Sequence, residues 1–376
     1  MRFMHISDLH IGKRLKERSL IEDQEYILEQ IMRIAEEQNI DAMLIAGDVF
    51  DDGNSTTIEA VNLLDDFLTD VSGKGIAIYM ISGNHDSMDR LEFGSRLFRK
   101  NDVFIGSTFK GSPERFELNR NGETVDIYLM PFTKPVHIRE FYPDIENDYD
   151  DALKAVFSDV ELKKDRKNIL VTHQYVVSGS QLPEICDSER KFIGGEEAVG
   201  SNIFDGFDYV ALGHIHSPQS IGRETVRYCG APLKYTGSEN ETDKTVTIID
   251  VGDDVTITEI PLVPKRDIRI IKGPLDKLIE CGRANPEGKD DYIFAIIDDE
   301  EMDAMARLRE VYPNTLSIAV KNEKVDDMEF DLVADLEEID MMKEFEKFFK
   351  EKMDGQEMTE SQKKIIKDLM SSTGAI

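Results

Sequence analysis

Five short polar clusters constrain this chain more than any other feature, because each follows directly on an apolar run of the kind that forms a buried strand. In α/β sheets the carboxyl ends of the strands open onto the crevice where ligands bind. We therefore expect the clusters to converge on one site, although the first and the last are about 200 residues apart. The clusters are Asp8-Leu9-His10, Gly47-Asp48-Val49-Phe50-Asp51, Gly83-Asn84-His85-Asp86, His173 and Gly213-His214-Ile215-His216.

The order of the predicted elements indicates an α/β layered fold. Strands are predicted at residues 2–6, 42–46 and 76–81, and helices with a period near 3.6 at 23–37 and 57–71. A hairpin at 115–130 turns at Asn121-Gly122, and a helix at 149–160 precedes a strand at 168–172. Strands at 209–212, 226–229, 245–251 and 256–261 are expected to form the second half of one sheet system.

Changes in composition, and segments that interrupt the predicted helices and strands, predict three domains at 1–263, 264–322 and 323–376. Residues 264–267 are predicted to be a linker, and a small α+β module follows them. The last domain begins with a charged stretch and contains two predicted amphipathic helices, the second with a capping box from Thr359 to Gln362. Their apolar stripes are Met342, Phe345, Phe349 and Met353, and Ile365, Ile366, Leu369 and Met370. Packing on the core is the default for such helices, but the charged stretch favours docking to a partner.

The balance of charged residues bears on how the chain could bind DNA. With 45 Lys and Arg against 76 Asp and Glu, the net charge of −31 argues against a protein that binds DNA through a broad basic surface of its own. The three cysteines are far apart in sequence, which predicts a reducing compartment. No apolar run reaches transmembrane length, and the chain starts directly with a predicted strand. We therefore expect a cytoplasmic protein with no membrane partner.

The residue types in the clusters suit a centre of two metal ions. Carboxylates and imidazoles bind Mn²⁺, Fe²⁺ and Zn²⁺, and the clusters contain no thiolate that would favour softer metals. Two cations that share a carboxylate lower the pKa of a shared water, which favours hydrolysis at phosphorus. Each cluster alone has an ordinary interpretation as a helix cap, a turn or a packed histidine. All five together, in this order and at strand ends, favour the metal site.

The ordered clusters resemble the signature of the calcineurin-like metallophosphoesterases. More narrowly, segments 5–12, 46–51, 81–86 and 228–235 resemble the D subunits of SbcCD nucleases, a family of double-strand-break repair nucleases. The resemblance covers most of the chain. It implies an α/β, four-layer sandwich of two mixed β-sheets flanked by helices. It also implies a small α+β capping domain that contacts DNA and a C-terminal helical pair that docks the coiled coil of an ATPase subunit.

The resemblance also implies the residues that hold the metals, two Mn²⁺ in nucleases of this type, with Mg²⁺, Fe²⁺ or Zn²⁺ as alternatives. The ligands of one ion would be Asp8, His10, Asp48 and His216. Asp48 would bridge to the second ion, whose other ligands would be Asn84, His173 and His214.

Two further residues receive roles from the resemblance. His85 would contact the scissile phosphate and assist the leaving group, and Asp86 would orient the His85 ring. Asp51 stands where some relatives have a second active-site histidine, so we leave open whether it caps a helix or supports a ligand.

The function that the resemblance implies is that of a nuclease subunit in an ATP-regulated SbcCD-type complex, active in DNA repair, recombination and replication. It would act as a 3′–5′ double-strand exonuclease and as an endonuclease at DNA ends and hairpins. A homodimer within a heterotetramer, associated with the nucleoid, is implied as well. Lys13, Arg14, Lys16 and Arg18 could contact phosphates or form a solvated loop.

Two other functions remain open at this point. The first is a stand-alone metallophosphoesterase that acts on small nucleotides or phosphoproteins, for which the residues after 265 would be superfluous. The second is a non-catalytic scaffold for the ATPase, which would have no need of the complete set of ligands.

Overall fold

The fold is described from a computed structural model of the chain. The structure describes residues 1–321 except 54, 147, 187–188, 190–197 and 286, and also residues 349, 358, 359, 362 and 363. The chain divides into two compact units, Met1–Asn322 and Glu323–Ile376. The predicted C-terminal helices lie almost wholly outside the described residues. In the described part, the amide of Thr359 donates to the Gln362 side chain and the amide of Gln362 to the Thr359 hydroxyl, as the predicted capping box requires.

The strands of the first unit alternate with helices over most of its length. In chain order the strands are β1 (Arg2–Ile6), β2 (Arg14–Leu15), β3 (Arg18–Ser19), β4 (Ala42–Ala46), β5 (Ala77–Ile81), β6 (Val103–Gly106), β7 (Glu114–Arg120), β8 (Glu123–Met130), β9 (Lys167–His173), β10 (Val176–Val177), β11 (Val199–Gly200), β12 (Tyr209–Gly213), β13 (Gln219–Ile221), β14 (Arg223–Tyr228), β15 (Thr245–Val251), β16 (Val255–Pro261), β17 (Ile268–Gly273), β18 (Tyr292–Ile297) and β19 (Thr315–Val320). The α-helices are α1 (Ile21–Glu37), α2 (Ile58–Gly73), α3 (Met88–Glu92), α4 (Ser95–Phe98), α5 (Pro135–Ile138), α6 (Tyr149–Ser158), α7 (Leu275–Ala284) and α8 (Ala304–Arg309).

Two mixed sheets of six strands form the body of the first unit. The first has the order β16-β15-β1-β4-β5-β6, and the second has the order β13-β14-β12-β9-β8-β7. In each sheet the central strands run parallel and the antiparallel pairs lie toward the edges. Residues of β4 and β5 are apolar throughout and all are buried, as expected for parallel strands that are covered on both faces.

The two sheets pack face to face and helices cover their outer faces. The core between them combines Leu44, Tyr79 and Ile81 from the first sheet with Ile127 and Val171 from the second. On the outer face of the second sheet, α6 packs through its buried residues, which are Ala152, Leu153, Val156 and Phe157. Helices α1 and α2 contact each other, and α2 contacts β5 of the first sheet. The predicted four-layer sandwich is therefore confirmed.

A separate small core follows the sandwich. Strands β17, β18 and β19 form a parallel three-stranded sheet, and α7 and α8 lie in the connections between them. The members of its core are Leu275, Leu278, Ile279, Ile293, Ala295, Ile297, Ala304, Leu308 and Tyr312. The residues predicted to form a small α+β module thus contain three strands and two helices in the order β17-α7-β18-α8-β19.

One prediction about the sheets is wrong. Strands at 245–251 and 256–261 were expected in the same half of the sheet system as the strands at 209–229, but β15 pairs antiparallel with β1, with Phe3 opposite Ile249. The hairpin of β15 and β16 therefore extends the first sheet. Apolar alternation predicts that a segment is a strand, but the partner of that strand depends on tertiary packing, which the pattern does not contain.

A buried histidine joins the two sheets and gives a test of the core. His5 in β1 is fully buried, and its Nδ1 lies 3.0 Å from the Tyr209 hydroxyl of β12. Burial, together with the Arg227 guanidinium, lowers the pKa of His5 to about 3. Below pH 6.5 the unfolded chain therefore binds a proton on His5 that the folded protein does not bind until about pH 3.

Because of His5, we expect the free energy of unfolding to decrease by about 2 kcal/mol when the pH is lowered from 7 to 5. In His5→Gln this contribution is absent, so the difference in stability between wild type and variant should narrow by that amount. Urea unfolding of both proteins in the presence of a chelator, at the two pH values, measures it. Parallel pH profiles would contradict the prediction.

Candidate metal centre and active site

All five polar clusters meet at one edge of the sandwich. Strands β1, β4 and β5 of the first sheet lead into the first three clusters, and β9 and β12 of the second sheet end in the other two. Gly213 lies opposite His173 in the second sheet. The amide of Asp8 donates to the carbonyl of Gly47, and the amide of His10 donates to that of Asp48, both at 3.0 Å. The loops after β1 and β4 are therefore held against each other.

Four of the predicted ligands have a left-handed backbone conformation. The φ angles are 53° at Asp8, 43° at His10, 48° at Asp48 and 99° at His214. Residues with a side chain rarely adopt positive φ because Cβ approaches the backbone too closely. Such strain clusters at functional sites, where the surrounding structure compensates for it. Its presence at four predicted ligands favours a functional site over an ordinary loop.

The first group of donor atoms comes from Asp8, His10 and His216, all of which are buried. The Nε2 atoms of the two histidines face each other at 3.2 Å. The carboxylate of Asp8 accepts from the His214 amide at 3.0 Å, and it also accepts from the Ser7 hydroxyl. Ligand atoms of the three residues lie within 4.8 Å of one another, close enough to coordinate one ion.

The second group lies around Asn84. Its side-chain oxygen is 3.0 Å from Nε2 of His173 and 3.1 Å from Nδ1 of His214. Nδ1 of His173 is 2.8 Å from the carbonyl oxygen of Ala46, which can only accept a hydrogen bond. Nδ1 therefore carries a proton, and Nε2 is the nitrogen of His173 that is directed to a ligand.

Asp48 stands between the two groups. Its Oδ2 lies 3.7 Å from Nε2 of His10 and 3.5 Å from Nε2 of His173. Its Oδ1 accepts from the His85 amide at 2.9 Å. Burial alone would raise the pKa of Asp48, but the neighbouring imidazoles, His173 above all, hold it well below its usual range. An ionised carboxylate in contact with both groups has the position that a bridging ligand requires.

The charges of these groups fit divalent cations. Burial lowers the pKa of His10 and of His214 to about 3, so both imidazoles are neutral and have a lone pair for a metal. At His173 burial also lowers the pKa, but the Asp48 carboxylate outweighs it and raises the pKa to about 9. A positive charge is therefore favoured between His173 and Asp48, and a divalent cation supplies one.

His85 lies beside this centre, but the expected partner of its ring is wrong. Its ring centroid is 4.9 Å from that of His10, and its Nδ1 is 2.9 Å from the carbonyl oxygen of Asp51. The Asp86 carboxylate instead accepts from the backbone amides of Val49, Phe50 and Gly83, at 2.9 to 3.1 Å. Asp86 thus joins the loop after β4 to the loop after β5, and the Asp51 carbonyl orients the His85 ring. The reason is that the three amides bind both oxygens of the Asp86 carboxylate.

The side chain of Asp51, whose role the sequence left open, contacts His10, which is one of the predicted ligands. Its Oδ1 is 3.5 Å from Nδ1 of His10 and 2.6 Å from Nζ of Lys13. Burial would raise the pKa of Asp51, but His10 and Lys13 lower it below its usual range. Lys13, one of the cations that follow the first motif, is therefore in contact with the site.

Two carboxylates at the site were not predicted from the sequence. A cleft of about 50 Å³ is lined by His10, Lys13, Asp48, His85, Glu189, His214 and His216. Glu189 accepts from the amides of Cys186 and His216. Glu239 lies on the other side of His216, with Oε1 3.7 Å from Nδ1 of that residue. The Thr236-x-x-Glu239 pattern is a recognisable capping box, but it predicts a helix start and not a contact with a ligand.

A larger groove of about 1090 Å³ lies away from this chemistry. It is lined by residues 122–125 and 162–168 with a few others, none of which is a predicted site residue. Volume alone therefore does not identify the functional site of this chain.

Close packing at Gly83 gives a test of the centre. A methyl group at this position would overlap the carboxylate and the amide nitrogen of Asp48. In Gly83→Ala we expect the bridging carboxylate to move and activity to fall by about 100-fold or more, since misplacements of about 1 Å have this effect. Gly73→Ala is the matched control, because nothing lies within 4 Å of its added methyl group. Titration with Mn²⁺ and an assay of phosphodiester cleavage compare the two, and equal behaviour would contradict the prediction.

Comparison with known proteins shows the family of the chain. Residues 1–218 match the family described as calcineurin-like phosphoesterase, and residues 264–353 match the one described as type 5 capsule protein repressor C-terminal domain. The chain is 31% identical to the D subunit of the nuclease SbcCD from Staphylococcus epidermidis, over 99% of this chain and 98% of the relative.

Among solved structures, a dimetal phosphatase from Danio rerio is 11% identical, with a TM-score of 0.42, and the match covers 70% of this chain and 98% of that one. A phosphoesterase from E. coli is 12% identical over the same shares, with a TM-score of 0.29.

Proposed function

Because the chain belongs to the calcineurin-like phosphoesterases, and within them to the family of SbcD nucleases, we propose that it is the DNA nuclease component of an SbcCD-type complex. It would hydrolyse phosphodiesters with two metal ions, as a 3′–5′ exonuclease and as an endonuclease at ends and hairpins. The observation that carries the proposal is the position of the Asp48 carboxylate between two groups of nitrogen and oxygen donors, with His85 beside them.

The proposed ligands are those that the family resemblance implies. One ion would be held by Asp8, His10, Asp48 and His216, and the other by Asp48, Asn84, His173 and His214. Mn²⁺ is the metal that we propose. When bound, two such ions neutralise charge on a phosphodiester and lower the pKa of a water molecule to near neutral.

The remaining chemistry comes from His85. The Asp51 carbonyl accepts from its Nδ1 at 2.9 Å, which sets the orientation of the ring, and we propose that Nε2 is the nitrogen that contacts substrate. A proton at Nε2 would stabilise the oxygen that leaves phosphorus, which is the role of a general acid. Asp86 acts as a positioning residue, since it holds the loop that carries Asp48 to the loop that carries His85.

The ATPase partner follows from the same family membership. A net charge of −31 makes independent binding of DNA unfavourable at long range, so we propose that the partner supplies most of the basic surface. Residues 323–376 would dock the ATPase coiled coil, and residues 264–322 would form a capping domain over the DNA. In the described part of the chain, no helix is long and apolar enough to cross a membrane.

A homodimer is part of the proposal. Phe93 is 84% exposed and Leu97 66% exposed, and Met88 and Phe98 beside them are also exposed. Exposed apolar side chains on α3, on α4 and at Phe93 between them support an interface there, because clustered exposed apolar side chains mark protein contacts. We also propose that the protein is cytoplasmic and associated with the nucleoid, as its role in repair, recombination and replication would require.

The proposal is tested by incubating the full chain with end-labelled duplex and hairpin DNA, with and without Mn²⁺, in parallel with a small phosphodiester such as bis-p-nitrophenyl phosphate. A second arm adds the ATPase partner and ATP. We expect Mn²⁺-dependent cleavage of DNA, stimulated in the second arm. Rapid hydrolysis of the small phosphodiester with intact DNA in both arms would identify a stand-alone phosphoesterase instead.

A further inference from the structure

A buried pair of opposite charges lies behind His216, on the side away from His10. Glu239 is fully buried and Lys244 is 5% exposed, and both lie in the connection between β14 and β15. Neither residue belongs to the clusters that carry the metal ligands. A buried ion pair contributes little to stability compared with apolar packing, so its presence calls for another reason.

The Glu239 carboxylate is held in place by backbone and side-chain donors. Its Oε1 accepts from the amides of Tyr235 and Thr236 at 3.1 Å and from the Thr236 hydroxyl at 3.2 Å. Its Oε2 accepts from Nζ of Lys244 at 2.5 Å. Because two of these donors belong to the backbone, the position of the carboxylate is set by the fold of the loop.

The pair contacts His216 at two points. Nζ of Lys244 donates to the backbone carbonyl of His216 at 2.9 Å, and Oε1 of Glu239 lies 3.7 Å from Nδ1 of its ring. The other ring nitrogen, Nε2, faces Nε2 of His10 at 3.2 Å. Sγ of Cys186 also lies 3.8 Å from Nδ1. The Glu239 charge on this side favours a proton on Nδ1, which leaves the Nε2 lone pair for a metal.

The geometry points to Glu239 and Lys244 as positioning residues that hold the backbone of His216 and direct its Nε2 to the first metal ion. This inference rests on the proposed metal centre and extends it to residues outside the ligand set. Lys244 holds the main chain and the carboxylate, and Glu239 selects the nitrogen that binds. Partners of this kind change metal affinity by 10- to 100-fold when they are removed.

The experiment measures Mn²⁺ binding to the full chain, first freed of metal, by isothermal titration calorimetry. Glu239→Gln keeps the shape of the side chain and removes its charge, but it leaves Lys244 buried without a counter-charge. The double variant Glu239→Gln/Lys244→Met removes both charges and so separates metal binding from the stability of the fold. Circular dichroism and urea unfolding are recorded for each variant.

Asp126→Asn is the matched control. Asp126 is also a fully buried carboxylate, paired with Arg115 at 3.0 Å and Arg166 at 3.5 Å, but it lies in the middle of β8 and not at the site. We expect this variant to lose stability and to keep its affinity for Mn²⁺ within about threefold. A role of Glu239 that is only structural would give the same pattern.

We expect both Glu239 variants to bind one of two Mn²⁺ ions 10- to 100-fold more weakly than wild type. Wild-type affinity in the double variant would overturn the inference, because the effect of Glu239→Gln would then come from the unpaired lysine. Wild-type protein that binds no Mn²⁺ would overturn the proposed function itself. The two failures are therefore distinguishable.

Discussion

His85→Gln is expected to lower the rate of DNA cleavage by 100- to 10,000-fold, the usual effect of removing a general acid or base. Glutamine has no proton that it can transfer near neutral pH, although its amide can still form hydrogen bonds. The affinity for Mn²⁺ should stay within about threefold of wild type, because none of the proposed ligand atoms belongs to His85. Single-turnover cleavage of end-labelled duplex DNA and calorimetric titration with Mn²⁺ measure the two quantities separately.

The matched control is His137→Gln, the same substitution at a histidine whose side chain is 51% exposed and which lies on α5. It should change neither rate nor affinity. Cleavage at wild-type rate by His85→Gln would show that the leaving group needs no proton from this residue. Loss of Mn²⁺ from that variant would show that His85 supports the metals instead.

Asp48→Asn is expected to have the largest effect on metal binding, because it acts on both ions at once. The Asp48 carboxylate lies within 3.7 Å of a histidine nitrogen in each donor group, and a neutral amide cannot balance two dications. We expect Mn²⁺ affinity to fall by at least about 100-fold and cleavage to become undetectable. Because a ligand at 100 times its Kd stabilises a protein by about 2.7 kcal/mol, Mn²⁺ should raise the Tm of wild type and leave that of the variant unchanged.

Asp51→Asn tests whether the effect of Asp48→Asn comes from the loss of a bridging ligand or only from the loss of a negative charge. Asp51 lies in the same loop as Asp48, and its carboxylate is 3.5 Å from the other nitrogen of His10. The same change of charge should therefore weaken Mn²⁺ binding by less than about tenfold. Equal effects of the two substitutions would mean that Asp48 supplies negative charge to the site but does not bridge.

Much of the site was predictable because its residues sit at strand ends. Strand β4 was predicted with its observed bounds, and the residues after it include Asp48. The clusters predicted to converge include Asn84, His173 and His214, and a nitrogen of each histidine does lie within 3.1 Å of the Asn84 side-chain oxygen. Local apolar runs specify strands, and parallel strands carry the residues after them to one edge.

The orientation of individual side chains was less predictable. Asp86 follows His85 directly, which suggested contact between them, yet its carboxylate accepts from three amides of neighbouring loops. Adjacency in sequence says little about contact in a turn, where successive side chains diverge. The prediction for the strands at 245–261 was wrong for a related reason. Pairing of β15 with β1 brings together residues that are about 250 positions apart in the sequence.

By itself, the amino-acid sequence determined the order of strands and helices, the α/β class and the set of polar residues at the strand ends. It did so because periodicity and local turns are properties of neighbouring residues. Only the tertiary structure decided that the Asp51 carbonyl orients His85, that Asp86 accepts from three loop amides, and that Glu239 and Lys244 contact His216. These arrangements depend on close packing between segments far apart in the chain, and that packing is settled only when the whole sandwich has formed.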